Sequence, residues 1–481
     1  MNRKLIYFSF YHYSLYFHPY FSNYRIILIE NTMQVKENPV LSTQKSHKLR
    51  RSILHDGSGQ LTYEIREIVR LAHQIEALGQ PITWENIGDP IHKGEQLPEW
   101  IKEIIQSLVK DNNTYAYSST AGNPETRRFL ADLANQRGGC QITKDDIIFF
   151  NGLGDAVGKI FGYLKKEARV IGPSPAYSTH SSAEAAHSGY KHVSYKLDPD
   201  NNWMPDLEDL EMKVKYNDSI AGILIINPDN PTGAVYPIKV LKRIVRIARE
   251  HKLFIICDEI YANLIYNGAD TAALSQVIGE VPGIAMRGIS KEYPWPGSRC
   301  GWIEVYNQHQ YPAFKKYIQT LLNAKMLEVS STNMPQLSIP RVMGDPRYAT
   351  HLKERRAMYK QRAQETADLF NVVQGATVIK PNAAFYTTVL FEEGVLNDQQ
   401  FLEISNPAIK KHIGERIEGL SPDKRFVYYL LGATGICVVP LSGFASDKHG
   451  FRITLLEADD QKRLQTWQTL TDHIEQYLRS A

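Results

Sequence analysis

A mainly parallel, doubly wound α/β sheet joined to a smaller α+β domain is predicted by three observations. Short apolar runs alternate with helical segments from about residue 90 to about residue 310, the signature of parallel strands linked by crossover helices. Beyond roughly Ala313, long helical stretches lead into four further apolar runs, which suit a second, smaller unit. At 481 residues, 43% hydrophobic and 22% charged, the chain is long enough to bury large cores in about two to three domains.

Taken in order, residues 1–24 carry six tyrosines and four phenylalanines among basic and polar residues. Polar interruptions exclude a spanning helix of about 20 apolar residues, and Ile26-Ile-Leu-Ile29 followed by Glu30-Asn-Thr makes no convincing signal peptide. Residues 1–32 therefore read as an unstructured or spurious extension upstream of Met33, with a surface-anchoring arm as the alternative. Residues 61–78 read as an amphipathic helix, with Ile65, Ile68, Val69, Leu71 and Ala72 at helical spacing. Trp84-Glu-Asn-Ile-Gly-Asp-Pro90 breaks it. Strands are expected at 146–150, 168–171, 223–226, 254–257, 284–286 and 302–305, then at 376–379, 385–390, 435–439 and 451–455. The resulting divisions are an N-terminal arm with part of the small domain at 33–91, a large domain at 92–335 and a small C-terminal domain at 336–481. Residues 392–435, with the polar stretch 397–422, read as an insertion at the small-domain surface, either a lid or an inert loop.

A net charge of +3 is close to balanced for this size, so no field for nucleic acid or anionic membrane is implied. Cys140, Cys257, Cys300 and Cys437 are scattered without a Cys-x-x-Cys pair, and the fifteen histidines show no metal-ligand spacing. That usage suits a reducing cytoplasm.

The chemistry gathers around Lys291, in Arg287-Gly-Ile-Ser-Lys-Glu-Tyr-Pro-Trp-Pro-Gly-Ser-Arg-Cys-Gly301. Upstream, Asn227-Pro-Asp-Asn-Pro-Thr-Gly233 follows the apolar run 221–226. Its prolines and glycine make a rigid turn holding Asn230 at the strand's carboxyl end, where open α/β sheets bind ligands. Asp258-Glu-Ile-Tyr261 leaves the next buried run, bringing an acid and a phenol to the same edge. Together these residues point to an amine that forms a Schiff base with an aldehyde cofactor.

The ordered set Asn-Pro-x-Asn-Pro-Thr-Gly, Asp-Glu-x-Tyr and Ser-Lys-x7-Arg resembles the class I/II aminotransferases, the fold-type I enzymes that use pyridoxal phosphate. The resemblance runs from roughly Asn86 to Ile453. It implies that Lys291 carries the cofactor and moves a proton between substrate and cofactor carbons, a role best served by a base tuned toward the working pH. Leu153 and Gly154, in Asn151-Gly-Leu-Gly-Asp-Ala156, would offer backbone N–H groups to the cofactor phosphate, and Arg299 a forked cation. The family's frequent serine three positions before the lysine is Gly288 here. Asp258 would face the pyridine nitrogen, Asn230 and Tyr261 the ring's phenolic oxygen, and Tyr177 the ring face.

The substrate carboxylate falls to Arg452, in Gly450-Phe-Arg-Ile453, as a bidentate clamp, with Gly88 closing over the substrate and Asn230 assisting. Ala383 replaces the glycine of the family's Pro-x-Gly-x-Phe-Tyr motif, which puts that turn in question. His92 and Lys93 are candidates for a second cation facing a dicarboxylate. Tyr117, in Tyr117-Ser-Ser-Thr-Ala-Gly122, matches the tyrosine that reaches the phosphate of the neighbouring subunit, implying a homodimer with shared sites.

The expected function is exchange of an amino group between an α-amino acid and a 2-oxo acid, both small-molecule substrates, in the cytoplasm, with no metal, nucleic acid or membrane partner. A carbon-sulfur lyase, a cyclopropane-forming synthase or an amino acid decarboxylase on the same fold is the alternative. A non-catalytic effector-binding regulator would need an added DNA-binding module, and none is visible in the first 80 residues.

Overall fold

In the computed structural model the described residues are 50–481, apart from Ser52, Thr62 and Tyr63; the expectations for residues 1–32 and for Met33 lie outside them. Within Leu54–Ala481, the strands in chain order are β1 (Thr83–Trp84), β2 (Ile147–Phe150), β3 (Arg169–Ser174), β4 (Ser194–Asp198), β5 (Met204–Pro205), β6 (Ile220–Ile226), β7 (Phe254–Asp258), β8 (Gly283–Gly288), β9 (Gly301–Tyr306), β10 (Ala376–Val378), β11 (Tyr386–Phe391), β12 (Ile436–Cys437), β13 (Val439–Pro440) and β14 (Gly450–Thr454). Eight of them form one sheet in the order β2-β9-β8-β7-β6-β3-β4-β5. Strands β8, β7, β6, β3 and β4 run parallel, while β9 is antiparallel to both β2 and β8, and β5 to β4.

The apolar runs of the central strands are continuous because both sheet faces are covered. Ile223, Ile225, Ile255 and Cys257 pack into a core with the helix Ile238–Glu250. Their neighbours Leu224, Ile226 and Ile256 face the opposite core, with the helices Leu153–Gly162 and Pro312–Met326. Because β3, β4, β6, β7 and β8 are parallel, their carboxyl ends share one edge of the sheet.

A second, antiparallel sheet has the order β10-β11-β14-β13. Its core takes Ile68, Leu71, Ala72 and Ile75 from the helix Glu64–Ala77, with side chains from the helices Arg347–Phe370, Pro422–Thr434 and Asp460–Leu478. Strand β1 pairs in parallel with β12, tying residues 83–84 to this unit.

The polar stretch 397–422 is not a bare loop. It contains the helix Pro407–Gly414, started by Asn406, whose side chain accepts from Ala408 and Ile409 N–H groups. Leu402, Ile404, Ile409 and Ile413 are buried in the second core. The four cysteines are free, and Cys257, Cys300 and Cys437 are buried. Among the described residues no helix is long and apolar enough to cross a membrane.

Candidate active site

The connection after β2 is a glycine turn leading directly into a helix. Gly152 holds a φ of 84°, and the helix Leu153–Gly162 begins without a side-chain cap, so its first N–H groups are free to serve a ligand. A β-carbon at Gly152 would lie 2.4 Å from Arg299 Nη2; only glycine lets the guanidinium approach this turn. Arg299 itself sits in the left-handed region with a φ of 50° and donates from Nη1 to Pro296 O at 3.1 Å.

After β6, the turn 227–233 is braced from within. Asp229 is fully buried and accepts from the Thr232 hydroxyl at 2.5 Å and from Thr232 N at 3.1 Å; burial pushes its carboxyl up to about 7. Asn230, next to it, presents Oδ1 to Arg452 Nη1 at 3.1 Å.

Asp258, the last residue of β7, accepts from Ile260 N at 3.1 Å and lies 2.9 Å from His180 Nε2. Tyr261 is buried, and its hydroxyl lies 3.4 Å from that of Tyr386. Burial, reinforced by Tyr386, pushes the Tyr261 phenol well above its ordinary value, so it remains a hydrogen-bond donor at neutral pH. Lys291, on the short helix Ile289–Glu292 after β8, donates from Nζ to Gly88 O at 2.7 Å.

These ends enclose a cavity of about 160 Å³. Leu153, Gly154, Tyr177 and Asn230 line it, as do Asp258, Tyr261, Lys291 and Arg299. His180, Thr179, Ser290 and Tyr386 line it too, although no role was expected for them from the sequence. His180 follows Tyr177 by three positions on a helical start, and Ser290 adjoins Lys291; that spacing was the available signal.

Arg452, on β14, is buried at 2% exposure. It stacks 4.3 Å from the Tyr386 ring and 4.9 Å from the Phe444 ring, and donates from Nη2 to Asn86 O at 2.6 Å. Among the described residues no carboxylate pairs with it, and its Nε has no partner. Burial works against its charge. A buried cation without a counter-ion is costly, so an anionic group brought to this guanidinium would be met favourably. Asn86 is buried beside it, with both side-chain polar atoms unpartnered.

Gly88 faces Tyr386: a β-carbon there would lie 1.9 Å from the Tyr386 hydroxyl. The turn with Ala383 in place of glycine is intact. Asn382 and Ala383 N–H groups both reach Gly233 O, at 3.0 and 3.2 Å, and the left-handed φ of 60° falls on Ala384. The second-cation candidates find other partners. Lys93 is buried, donating to Glu85 at 2.6 Å and Glu457 at 3.4 Å, and His92 is exposed beside Asp89. Tyr117 is 83% exposed and does not line this chain's cavity.

A lysine amine and a buried guanidinium with no carboxylate partner among the described residues thus lie near the carboxyl edge of the doubly wound sheet, linked through Gly88, Asn86 and Asn230. The sequence profile described as aminotransferase class I and II matches residues 84–466, and the chain belongs to that family. An uncharacterised aminotransferase of Methanocaldococcus jannaschii is 53% identical over 90% of this chain and 100% of its own length. The glutamate-pyruvate aminotransferase AlaA of Escherichia coli is 29% identical over 67% of this chain and 79% of its own. Among solved structures, alanine aminotransferase from Pyrococcus furiosus matches with a TM-score of 0.75 at 26% identity, over 90% of this chain and 100% of that one.

Proposed function

We propose that the protein moves an amino group between an α-amino acid and a 2-oxo acid, with pyridoxal phosphate held at Lys291. The carboxylate-free guanidinium of Arg452 carries this reading, because the site's own residues leave its charge to be met by a substrate carboxylate.

The donor set fits the cofactor. The uncapped helix start at Leu153 and Gly154, opened toward Arg299 by Gly152, suits a phosphate. Asp258, oriented by His180 and by Ile260 N, suits a ring nitrogen, and Asn230 and the protonated Tyr261 suit a phenolic oxygen. When bound, pyridoxal phosphate supplies an aldehyde that condenses with amines and a ring that accepts the electron pair released at the substrate α-carbon. The chain's own groups do the rest. Arg452 orients the substrate by its carboxylate, Gly88 and Tyr386 close one wall, and Lys291 Nζ is the base that takes and returns the α-proton.

The named activities of the relatives make alanine with 2-oxoglutarate, and glutamate with pyruvate, the first pairs to measure. Initial rates over a panel of amino acids are expected to be highest for alanine among donors to 2-oxoglutarate. No transfer from any α-amino acid would remove the proposal.

Tyr117 belongs to the same reading as a contribution to a second subunit's phosphate site in a homodimer, consistent with its exposure on the single chain. Tyr117→Asp and Lys291→Ala should each be inactive. Their heterodimers should regain activity at one site, because the subunit keeping Lys291 receives Tyr117 from its neighbour. Heterodimers no more active than either parent would rule this out.

A further inference from the structure

Lys291 is held at its tip by Gly88 O, and its backbone is held from another part of the chain. The helix Arg347–Phe370 carries Tyr348, Arg355 and Tyr359 at positions seven and four residues apart, so they share one helix face; Tyr348 and Arg355 reach the short helix that carries Lys291, and Tyr359 reaches Glu95. Arg355, at 4% exposure, donates from Nη1 to the carbonyl oxygens of Lys291 at 2.5 Å and Glu292 at 2.9 Å. Its Nε and Nη2 grip the two carboxylate oxygens of Glu95 at 2.5 and 3.0 Å. Tyr359 donates to Glu95 at 2.9 Å, and Tyr348 donates to the buried Glu292 carboxylate at 2.7 Å.

Glu95 closes a circuit. It follows Gly88 in the segment whose turn is fixed by the Glu95 N to Pro90 O bond at 2.9 Å. The path therefore runs from Lys291 Nζ to Gly88 O, along the chain to Glu95, through the Arg355 fork and back to the Lys291 carbonyl. A buried ion pair contributes little net stability over an apolar replacement. What a guanidinium adds is fixed direction, since its five donors lie in one plane, and here two are spent on the peptide that carries the amine.

We propose that Arg355 is a positioning residue for the reaction: with Glu95 it fixes the backbone of Lys291 relative to the Gly88 carbonyl, and so sets where the amine swings. The proposal rests on Lys291 being the cofactor-bearing amine. No contact of Arg355 reaches Arg452 or its partners, so substrate carboxylate binding is separate from this clamp.

The test compares wild type, R355M, R355K and E95Q as cofactor-loaded proteins. For R355M, kcat per loaded site is expected to fall on the order of 10- to 100-fold, the scale of a roughly 1 Å misplacement, with KM for the amino acid within about threefold. The pH midpoint of the bound cofactor's absorption band should move by at least about half a unit as the amine's surroundings change. R355K, which keeps the charge and loses the fork, should recover part of both. E95Q, which keeps the volume of the pair, should shift both in the same direction by less. A lowered melting temperature with kcat per loaded site within about twofold of wild type and an unmoved midpoint would make Arg355 merely structural and overturn the proposal. If R355M does not fold, the same null result for E95Q and R355K overturns it. Borohydride reduction of wild type separates the two claims. Absence of an adduct on Lys291 sinks the underlying assignment, whereas an adduct there with unperturbed variants sinks only the positioning role.

Discussion

Replacing Lys291 with alanine is expected to lower turnover at least about 10⁴-fold, the upper end of what a positioned general base contributes. Its Nζ bonds to Gly88 O and lies 5.3 Å from the Phe385 ring, so the fold loses one hydrogen bond, about 1 kcal/mol. The turn at Gly152, Asp258 and Asn230 remain in place, so the variant should still take up pyridoxal phosphate noncovalently. A melting temperature near that of wild type, with cofactor retained and activity gone, separates a chemical role from a structural one. Transamination at the normal rate would leave Lys291 without the role assigned to it.

The second large effect is expected at Arg452. Leucine there removes the cation proposed to meet the substrate carboxylate, and kcat/KM should fall by the equivalent of roughly 2 to 5 kcal/mol, with KM raised for every amino acid. The loss should be shared across donors, because every α-amino acid carries the same carboxylate. Side-chain preference should therefore survive in rank order. An unchanged KM for all donors would place the carboxylate elsewhere.

Much of this site was legible because its residues sit next to strong local signals. Lys291, Asn230, Asp258 and Tyr261 each follow a buried apolar run, and the ends of parallel strands converge on one edge. The large-sheet strands β2, β3 and β6 to β9 fall where those runs predict. Strand β4 was missed because Ser194-Tyr-Lys-Leu-Asp198 is polar at alternate positions, with Lys196 exposed near the sheet's edge; a short half-solvated strand resembles a loop. The helix Pro407–Gly414 was hidden in a stretch judged by its polarity. Its start signal, Asn406-Pro407, and the i, i+4 pair Ile409 and Ile413 were present.

Other features belong to pairings between distant segments, which a single sequence does not display. Lys93 looks like a surface lysine until Glu457 is brought against it from 364 positions away. Tyr386 belongs to the motif altered at Ala383, yet its approach to Gly88, Tyr261 and Arg452 joins segments far apart in the chain, of which the pairing of β11 with β14 sets only the last. Arg355, one of several basic residues on a long helix, takes its meaning from two carbonyl groups on another element.

The central claim is that Lys291 is the amine that holds the cofactor. Wild-type protein loaded with pyridoxal phosphate, reduced with borohydride, digested and mapped by mass spectrometry should carry one pyridoxyl group, on Lys291, and lose activity in proportion to its incorporation. An adduct on a different lysine, or an active enzyme that takes up no adduct, would contradict the account.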